Sequence, residues 1–215
     1  VALTARQQAL LDAWLPGAEV IGDHSWGLVG TFVLELCHGG ERYIAKAGDA
    51  GDRHIARELA AHHDWLRPWT SRGRAPELVN GDADAKLILT RFLPGDLVQG
   101  SPAEWVPDTY RRAGELLVLF HGQLAVPDPS YEGHENARTL ANLDKPHTIP
   151  PELVSRLRAE ILSWDAPPSV LVPTHGDWQP RNWLIEGSTV KVIDFGRAAL
   201  RPAHTDFVRM ASQQF

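Results

Sequence analysis

Apolar residues recur along this chain with two different periods, and the change from one to the other divides it. Leu3, Leu10, Leu11 and Trp14 fall at loosely helical spacing and predict a short helix closed by Pro16-Gly17. The runs Thr31-Phe32-Val33-Leu34-Glu35-Leu36 and Arg42-Tyr43-Ile44-Ala45-Lys46 read as strands, with Gly39-Gly40 between them as the turn of a hairpin. Helical spacing returns at Ile55, Leu59, His62 and Leu66, and Glu58 lies beside that stripe, not opposite it. A second strand pair follows, Glu77-Leu78-Val79-Asn80 and Lys86-Leu87-Ile88-Leu89-Thr90, around the polar turn Gly81-Asp82-Ala83-Asp84. Pro94-Gly95 ends that sheet. The stretch 95–107, rich in Gly, Pro and polar residues, predicts a boundary between an N-terminal lobe, 1–94, and a C-terminal lobe, 95–215.

Beyond the boundary the pattern is mostly helical. Ala113, Leu116, Leu117, Phe120 and Leu124 form one apolar face, and Leu153, Leu157, Ile161 and Trp164 form another. These two helices are expected to build the core of the second lobe. Three short β-like runs come last, Val170-Leu171-Val172, Trp183-Leu184-Ile185 and 190–193, the final two joined by a tight turn near Glu186-Gly187-Ser188. The fold class expected is α+β, an antiparallel sheet lobe with one key helix followed by a mainly helical lobe. No internal repeat or low-complexity segment is evident.

Composition narrows the partners. The chain has 215 residues, 43% of them hydrophobic, enough for one big core or two lobes sharing a cleft. A formal net charge of -6 argues against nucleic acid, which is bound mainly through clustered Lys and Arg, and suits a cationic small molecule better. Cys37 is the only cysteine, so no intrachain disulfide forms and a reducing, cytoplasmic setting is expected. No apolar stretch has the length of a membrane span, and no membrane partner is expected. Val1 in place of an initiating Met and the stop at Phe215 leave room for native residues at both ends.

The chemistry is concentrated in two motifs: His175-Gly176-Asp177-Trp178-Gln179-Pro180-Arg181-Asn182, then Val192-Ile193-Asp194-Phe195-Gly196. Asp177 stands where a buried strand ends and a loop begins. The hairpin joining the last two strands would bring Asn182 and Asp194 together at its open end. Carboxylate and amide oxygens suit Mg²⁺, which takes few protein ligands and completes its shell with phosphate and water. That leaves Asp177 to accept a hydrogen bond from a substrate hydroxyl. Upstream, Lys46 on a strand and Glu58 on the next helix form either an ion pair that offers an ammonium to nucleotide phosphates or two separate surface charges; the later motifs favour the pair. The segment 23–30 is either a phosphate-cradling turn or an ordinary β-turn. His62, His63 and His121 lack metal-ligand spacing and are expected to be structural. The ordered set points to Mg²⁺-dependent transfer of a nucleotide γ-phosphate.

On these motifs the sequence resembles the aminoglycoside phosphotransferase family, whose members share the bilobal protein-kinase-like fold. The resemblance implies that Asp177 is the catalytic base or hydroxyl-orienting group and that Asn182 and Asp194 hold Mg²⁺. It implies that Lys46, held by Glu58, contacts the α- and β-phosphates of ATP, with GTP an open alternative. Ser25 falls in the nucleotide-positioning loop. Arg91, Phe92 and Leu93 fall in the hinge, Thr90 to Gly95, whose backbone would bind the base. His121 would pack in the second lobe, and Asp206 would be structural. Arg181, a basic side chain inside the catalytic loop, is either a transition-state charge stabiliser or an ion-pair partner. Trp178 and Trp183 either stack on a substrate or pack in the core. The family implies a cationic antibiotic as acceptor, an aminoglycoside or basic peptide, and a role in resistance. A metabolic kinase for a sugar or amino alcohol and a catalytically dead, nucleotide-binding regulatory protein are the alternatives. A protein kinase is disfavoured because no Ala-Pro-Glu segment follows Asp194-Phe195-Gly196.

Overall fold

The computed structural model describes residues 3–25 and 30–211, with the backbone alone at 209 and 211. The part of the suspected phosphate turn at 26–29 lies outside the described residues. The chain opens with α1 (Ala5–Trp14), set by a capping box: Thr4 Oγ1 accepts the Gln7 N–H at 3.2 Å and Gln7 Oε1 accepts the Thr4 N–H at 2.9 Å. The same Gln7 is buried, and its Nε2 donates to the carbonyls of Gly48 and Ala85, both at 2.9 Å. One side chain thus caps the helix and anchors it to a sheet.

That sheet is built from β1 (Glu19–Asp23), β2 (Thr31–His38) and β3 (Glu41–Gly48), then α2 (His54–Asp64) and the single turn α3 (Arg67–Thr70), then β4 (Leu78–Asp82) and β5 (Leu87–Arg91). Its order is β1-β2-β3-β5-β4, and every neighbouring pair is antiparallel. Gly39 and Gly40 turn the β2–β3 hairpin with φ of +59° and +80°, the left-handed pair a two-residue turn requires. In β3, Tyr43, Ala45 and Ala47 are buried against Leu11, Leu15, Leu87 and Leu89. Strand alternation therefore sends Lys46 to the opposite face, where α2 lies. The buried stripe of α2 is Ile55, Glu58, Leu59 and Ala61.

The remaining elements are β6 (Asp96–Leu97), α4 (Pro107–His121), β7 (Val126–Asp128), α5 (Tyr131–Asn142), α6 (Pro151–Ser163), β8 (Ser169–Thr174), β9 (Trp183–Glu186), β10 (Thr189–Val192), β11 (Ala199–Arg201) and α7 (His204–Ala211). They form two three-stranded sheets, ordered β10-β9-β6 and β11-β8-β7. The core of this half is aromatic. Trp69 stacks on Phe120 at 4.1 Å and packs near Trp178 and Phe195, with Trp183 against Trp178. Both Trp178 and Trp183 are fully buried core residues and offer no face to a substrate.

Two expectations about this core are corrected. The apolar face of α4 ends at Phe120, because the helix stops at His121 and Leu124 is exposed beyond it. The helix carrying Leu153, Leu157 and Ile161 does not build the core. Only Ile161 is buried in α6, Trp164 is exposed, and α6 packs on α5. Four large aromatic side chains, Trp69 from α3, Trp183 from β9 and Trp178 and Phe195 from loops, already fill the space against α4, so a second helix face has no room there. α5 escaped prediction because it has no buried residue to set a period.

The two halves are tied beside the cleft. The Val192 N–H donates to the Arg74 carbonyl at 2.8 Å, and Arg74 Nη1 donates to the Val190 carbonyl at 3.0 Å. Lys191, buried on β10, donates to the Pro94 carbonyl at 2.7 Å. Among the described residues no helix is long and apolar enough to cross a membrane.

Candidate active site

Lys46 reaches across from β3 to Glu58 on α2, with Nζ 2.7 and 2.9 Å from the two carboxylate oxygens. Glu58 is only 2% exposed, so its charge depends on that partner. Burial works against the Lys46 ammonium, but Glu58 and then Asp194 outweigh it and raise its pKa. Burial likewise raises the pKa of Glu58, against the pull of Lys46. The expected strand-to-helix pair is therefore formed, and it is aimed at Asp194, whose Oδ1 lies 3.6 Å from Lys46 Nζ.

Asp194 follows β10 in a left-handed conformation, φ +65°, which is strained for a residue with a Cβ. Its side chain is 52% exposed, and Lys46, against the effect of burial, holds its pKa below the usual carboxylate value. Gly196 two residues on is obligatory: a Cβ there would lie 2.8 Å from His54 Cβ. His54 Nδ1 donates to the Gly196 carbonyl at 3.0 Å, which fixes the segment to the start of α2.

The loop that begins at Gly176 lies against the same segment. The Ile193 N–H donates to the Asn182 carbonyl at 3.0 Å, extending the β9–β10 ladder by one bond, and so brings Asn182 and Asp194 to one end of the hairpin. The Asn182 amide nitrogen donates to the Asp177 carbonyl at 2.8 Å and to Asp177 Oδ2 at 3.2 Å. Its Oδ1 is then the atom left to accept or to ligate. Asp177 is 4% exposed. Gln179 Nε2 donates to its Oδ1 at 2.6 Å and Arg181 Nη2 to its Oδ2 at 2.8 Å. Arg181 is thus an ion-pair partner of Asp177, the second of the two roles left open for it.

His175 and Asp206 brace this loop from inside. The His175 ring donates from Nε2 to the Ile193 carbonyl at 3.1 Å and accepts the Asp177 N–H on Nδ1 at 3.3 Å, which defines its tautomer. Asp206, 0% exposed on α7, accepts the backbone N–H groups of His175 at 3.1 Å and Gly176 at 2.7 Å, and the His121 ring at 2.9 Å. Asp206 and His121 are structural groups in this arrangement. Gly176 has φ +78°, and a Cβ there would collide with the Arg197 carbonyl oxygen. Gly176→Ala is accordingly expected to cost about 2–4 kcal/mol from strain and overpacking. The check is a thermal melt, in which a fall in Tm of at least about 4 °C is expected; an unchanged Tm would mean that the loop relaxes freely.

The remaining candidates sit in the first lobe. Ser25 Oγ accepts the Val33 N–H at 3.0 Å and its hydroxyl hydrogen-bonds the Asp23 carboxylate, so the side chain holds the loop to β2. At the end of β5 the Arg91 side chain turns away to Glu41 and Glu77 and lies 5.9 Å from the Tyr43 ring. Phe92 packs under the Arg42 guanidinium at 3.6 Å. The N–H groups of Arg91 and Phe92 are spent on Glu77 and Arg42 carbonyls. Base recognition at this hinge would therefore fall to carbonyl groups and to the Leu93 N–H.

His62 was expected to be structural, and its ring packs edge-on to Phe195 at 5.9 Å. Its buried Nε2 has no partner among the described residues. Burial, then Lys46 and His63, push its pKa down to about 3. A folded pKa so far below the unfolded 6.5 means that the unfolded chain binds the extra proton between these values, so stability falls as pH drops from about 6.5 toward 3. His62→Leu is expected to raise stability by about 1 kcal/mol or more, with a larger gain at pH 5 than at pH 8. Urea unfolding at both pH values tests this, and an equal or reversed gain would contradict it.

Two neighbours of Asp177 were not singled out from sequence: Gln179 as a direct donor, and Arg197, whose Nε lies 3.9 Å from Asp177 Oδ2. The β8–β11 pairing, with Ala199 opposite Thr174, sets residues after Gly196 beside the loop that begins at Gly176, and the three residues of β11 are too few to leave a period in the sequence.

A sheet lobe carrying a Lys–Glu pair, joined to a lobe that presents Asp177, Asn182 and Asp194, defines a protein-kinase-like fold of bilobal architecture. The model of the phosphotransferase enzyme family matches residues 26–215, and the chain belongs to that family. It is a phosphotransferase by class. Solved structures agree on the fold. Aminoglycoside-3'-phosphotransferase of type VIII is 22% identical with a TM-score of 0.65, over 97% of this chain and 82% of that one. A thermostable mutant of aminoglycoside phosphotransferase APH(4)-Ia, in ternary complex with ADP and hygromycin B, is 14% identical with a TM-score of 0.67, over 96% and 76%. A choline/ethanolamine kinase family protein from Mesorhizobium loti is 20% identical with a TM-score of 0.62, over 98% and 70%. A search of curated protein sequences returns no significant match.

Proposed function

We propose that this protein is a small-molecule kinase that transfers the γ-phosphoryl group of ATP or GTP to a hydroxyl of its acceptor, with Mg²⁺ as cofactor. The observation that carries it is the convergence of Lys46, Glu58 and Asp194 around one point, with Asp177 anchored beside Asn182 on the acceptor side. The donor set fits Mg²⁺: a half-exposed carboxylate on Asp194 and an amide whose nitrogen is already committed, leaving its oxygen. When bound there, Mg²⁺ neutralises charge on the phosphate oxygens.

The protein residues then divide the work. Lys46, kept charged by Glu58, takes the α- and β-phosphates, and Ser25 stands in the loop that approaches them. The hinge at Arg91, Phe92 and Leu93 holds the base through backbone groups. Asp177 orients the acceptor hydroxyl and takes its proton as the new bond forms. Residues 1–94 are the nucleotide-binding lobe, and 95–215 are the catalytic and substrate-binding lobe, which also supplies Asn182 and Asp194 for Mg²⁺. Positioning and charge neutralisation supply most of the rate enhancement.

The acceptor in this reading is a cationic molecule, an aminoglycoside or basic peptide antibiotic, and the role is resistance by inactivation. Support comes from the net charge of -6 and the likeness to aminoglycoside phosphotransferases. The likeness to a choline/ethanolamine kinase family protein favours a second acceptor, an amino alcohol of metabolism, which is also cationic. A cytoplasmic setting belongs to the same reading and rests on the single free Cys37.

Nucleoside-diphosphate release is the test, measured with Mg²⁺-ATP and Mg²⁺-GTP across aminoglycosides, basic peptides, macrolides, amino alcohols and sugars. Stimulation by one cationic antibiotic class supports resistance, and stimulation by amino alcohols alone supports metabolism. Tight nucleotide binding with no stimulation by any acceptor would leave the regulatory alternative.

A further inference from the structure

Arg197, the residue after Gly196, has a fixed backbone and a loosely held side chain. Its carbonyl is packed against Gly176 and accepts a hydrogen bond from Arg201 Nη1 at 2.9 Å. The Ala198 N–H closes a turn around it by donating to the Phe195 carbonyl at 2.9 Å. The guanidinium, by contrast, is 39% exposed, and its Nε stands 3.9 Å from Asp177 Oδ2, beyond hydrogen-bond range. That oxygen already accepts from Arg181 at 2.8 Å and Asn182 at 3.2 Å, and Oδ1 accepts from Gln179 at 2.6 Å. Asp177 therefore has no use for a second guanidinium. Among the described residues no other carboxylate lies within ion-pair distance of Arg197.

A half-exposed cation held beside a carboxylate that is already paired marks the place of a further negative charge. The reaction brings one there. An acceptor hydroxyl bound to Asp177 must be met in line by the γ-phosphorus, so the equatorial oxygens of the moving phosphoryl group pass within reach of a side chain 3.9 Å from Asp177. Lys46 and Asp194 serve the nucleotide side of that path; on the acceptor side Arg181 is bonded to Asp177 at 2.8 Å, and Arg197 is the cation that stands off it at 3.9 Å. We propose that Arg197 is a catalytic residue that binds the transferring phosphoryl oxygens, an assignment that rests on the small-molecule kinase reading. In the step it serves, the acceptor oxygen bonds to the γ-phosphorus and the bond to the β–γ bridging oxygen breaks. The electron pair leaves with the nucleoside diphosphate, and the hydroxyl proton passes to Asp177. Arg197 keeps its proton throughout and supplies charge where charge accumulates.

The test is the affinity of wild type, Arg197→Gln and Arg197→Lys for Mg²⁺-ADP with and without aluminium fluoride, a planar mimic of the phosphoryl group in transit. The enhancement that fluoride gives wild type is expected to fall at least about tenfold in Arg197→Gln and less in Arg197→Lys, while affinity for ADP alone shifts less than about threefold. With an acceptor in hand, kcat is expected to drop about 10²-fold with little change in the nucleotide KM. Retained enhancement in Arg197→Gln overturns the assignment, and so does a loss confined to the acceptor KM, which would make Arg197 a reader of the acceptor. Parallel loss of ADP binding also overturns it, since that is the mark of a structural role. A wild type that binds no nucleotide instead contradicts the kinase reading itself.

Discussion

Asp177→Asn is expected to lower kcat by about 10²–10⁴-fold while the Kd for Mg²⁺-nucleotide changes less than about threefold. The substitution keeps the shape of the side chain and removes its charge. Two consequences follow from its neighbours. The acceptor hydroxyl loses the oxygen that would take its proton, and the Asn amide must set its nitrogen against either Gln179 Nε2 or Arg181 Nη2, both of them donors. The nucleotide side is largely spared, because Lys46, Glu58 and Asp194 do not bond the Asp177 side chain, and Asn182, which donates to Oδ2 at 3.2 Å, keeps its shorter bond to the Asp177 carbonyl at 2.8 Å. Steady-state kinetics beside nucleotide titration separates the two effects. Turnover within about threefold of wild type would remove Asp177 from the mechanism.

Lys46→Met is expected to be the most damaging single change to both activity and stability. It withdraws the ammonium from the phosphates, and it leaves Glu58 unpaired at 2% exposure, which costs about 3–5 kcal/mol when one partner of a buried pair is lost. The stability loss has a pH signature. Burial already raises the Glu58 pKa, and without Lys46 the rise is larger. A carboxyl whose folded pKa lies above its unfolded value favours folding below the unfolded pKa, and that contribution is lost as pH rises through the folded one. The deficit of Lys46→Met is therefore expected to be smaller at pH 5 than at pH 8. Adding Glu58→Gln should recover much of the stability and none of the turnover. A single variant as stable as wild type at pH 8 would show that the pair carries no weight in the fold.

The sequence made the sheet and the local motifs legible because each is written in short-range terms. The alternation in β3 and the Gly39-Gly40 turn fix a hairpin, and helical spacing over 53–66 sets Glu58 on the face that meets Lys46. The cluster of Asp177, Asn182 and Asp194 was legible for the same reason, since one hairpin, β9–β10, closes the distance between its members. What escaped depends on contacts between distant segments. Leu124 and Trp164 continue apolar patterns and yet lie exposed, because Trp69, Trp178, Trp183 and Phe195 had already filled the core against α4. β1 and α5 bury too little side chain to leave a period. The Arg197 position depends on Gly176 packing against its carbonyl, a contact that no spacing within either motif encodes.

In the proposed reaction this cleft moves a γ-phosphoryl group to a small-molecule hydroxyl, with Asp177 on the acceptor side. The most direct measurement follows radiolabel from γ-labelled ATP and GTP into a pool of hydroxylated antibiotics and amino alcohols, with Mg²⁺ or with chelator, for wild type and Asp177→Asn. Label is expected in one acceptor, dependent on Mg²⁺ and lost in the variant. Label transferred equally well by Asp177→Asn, or appearing only in the protein itself, would contradict it.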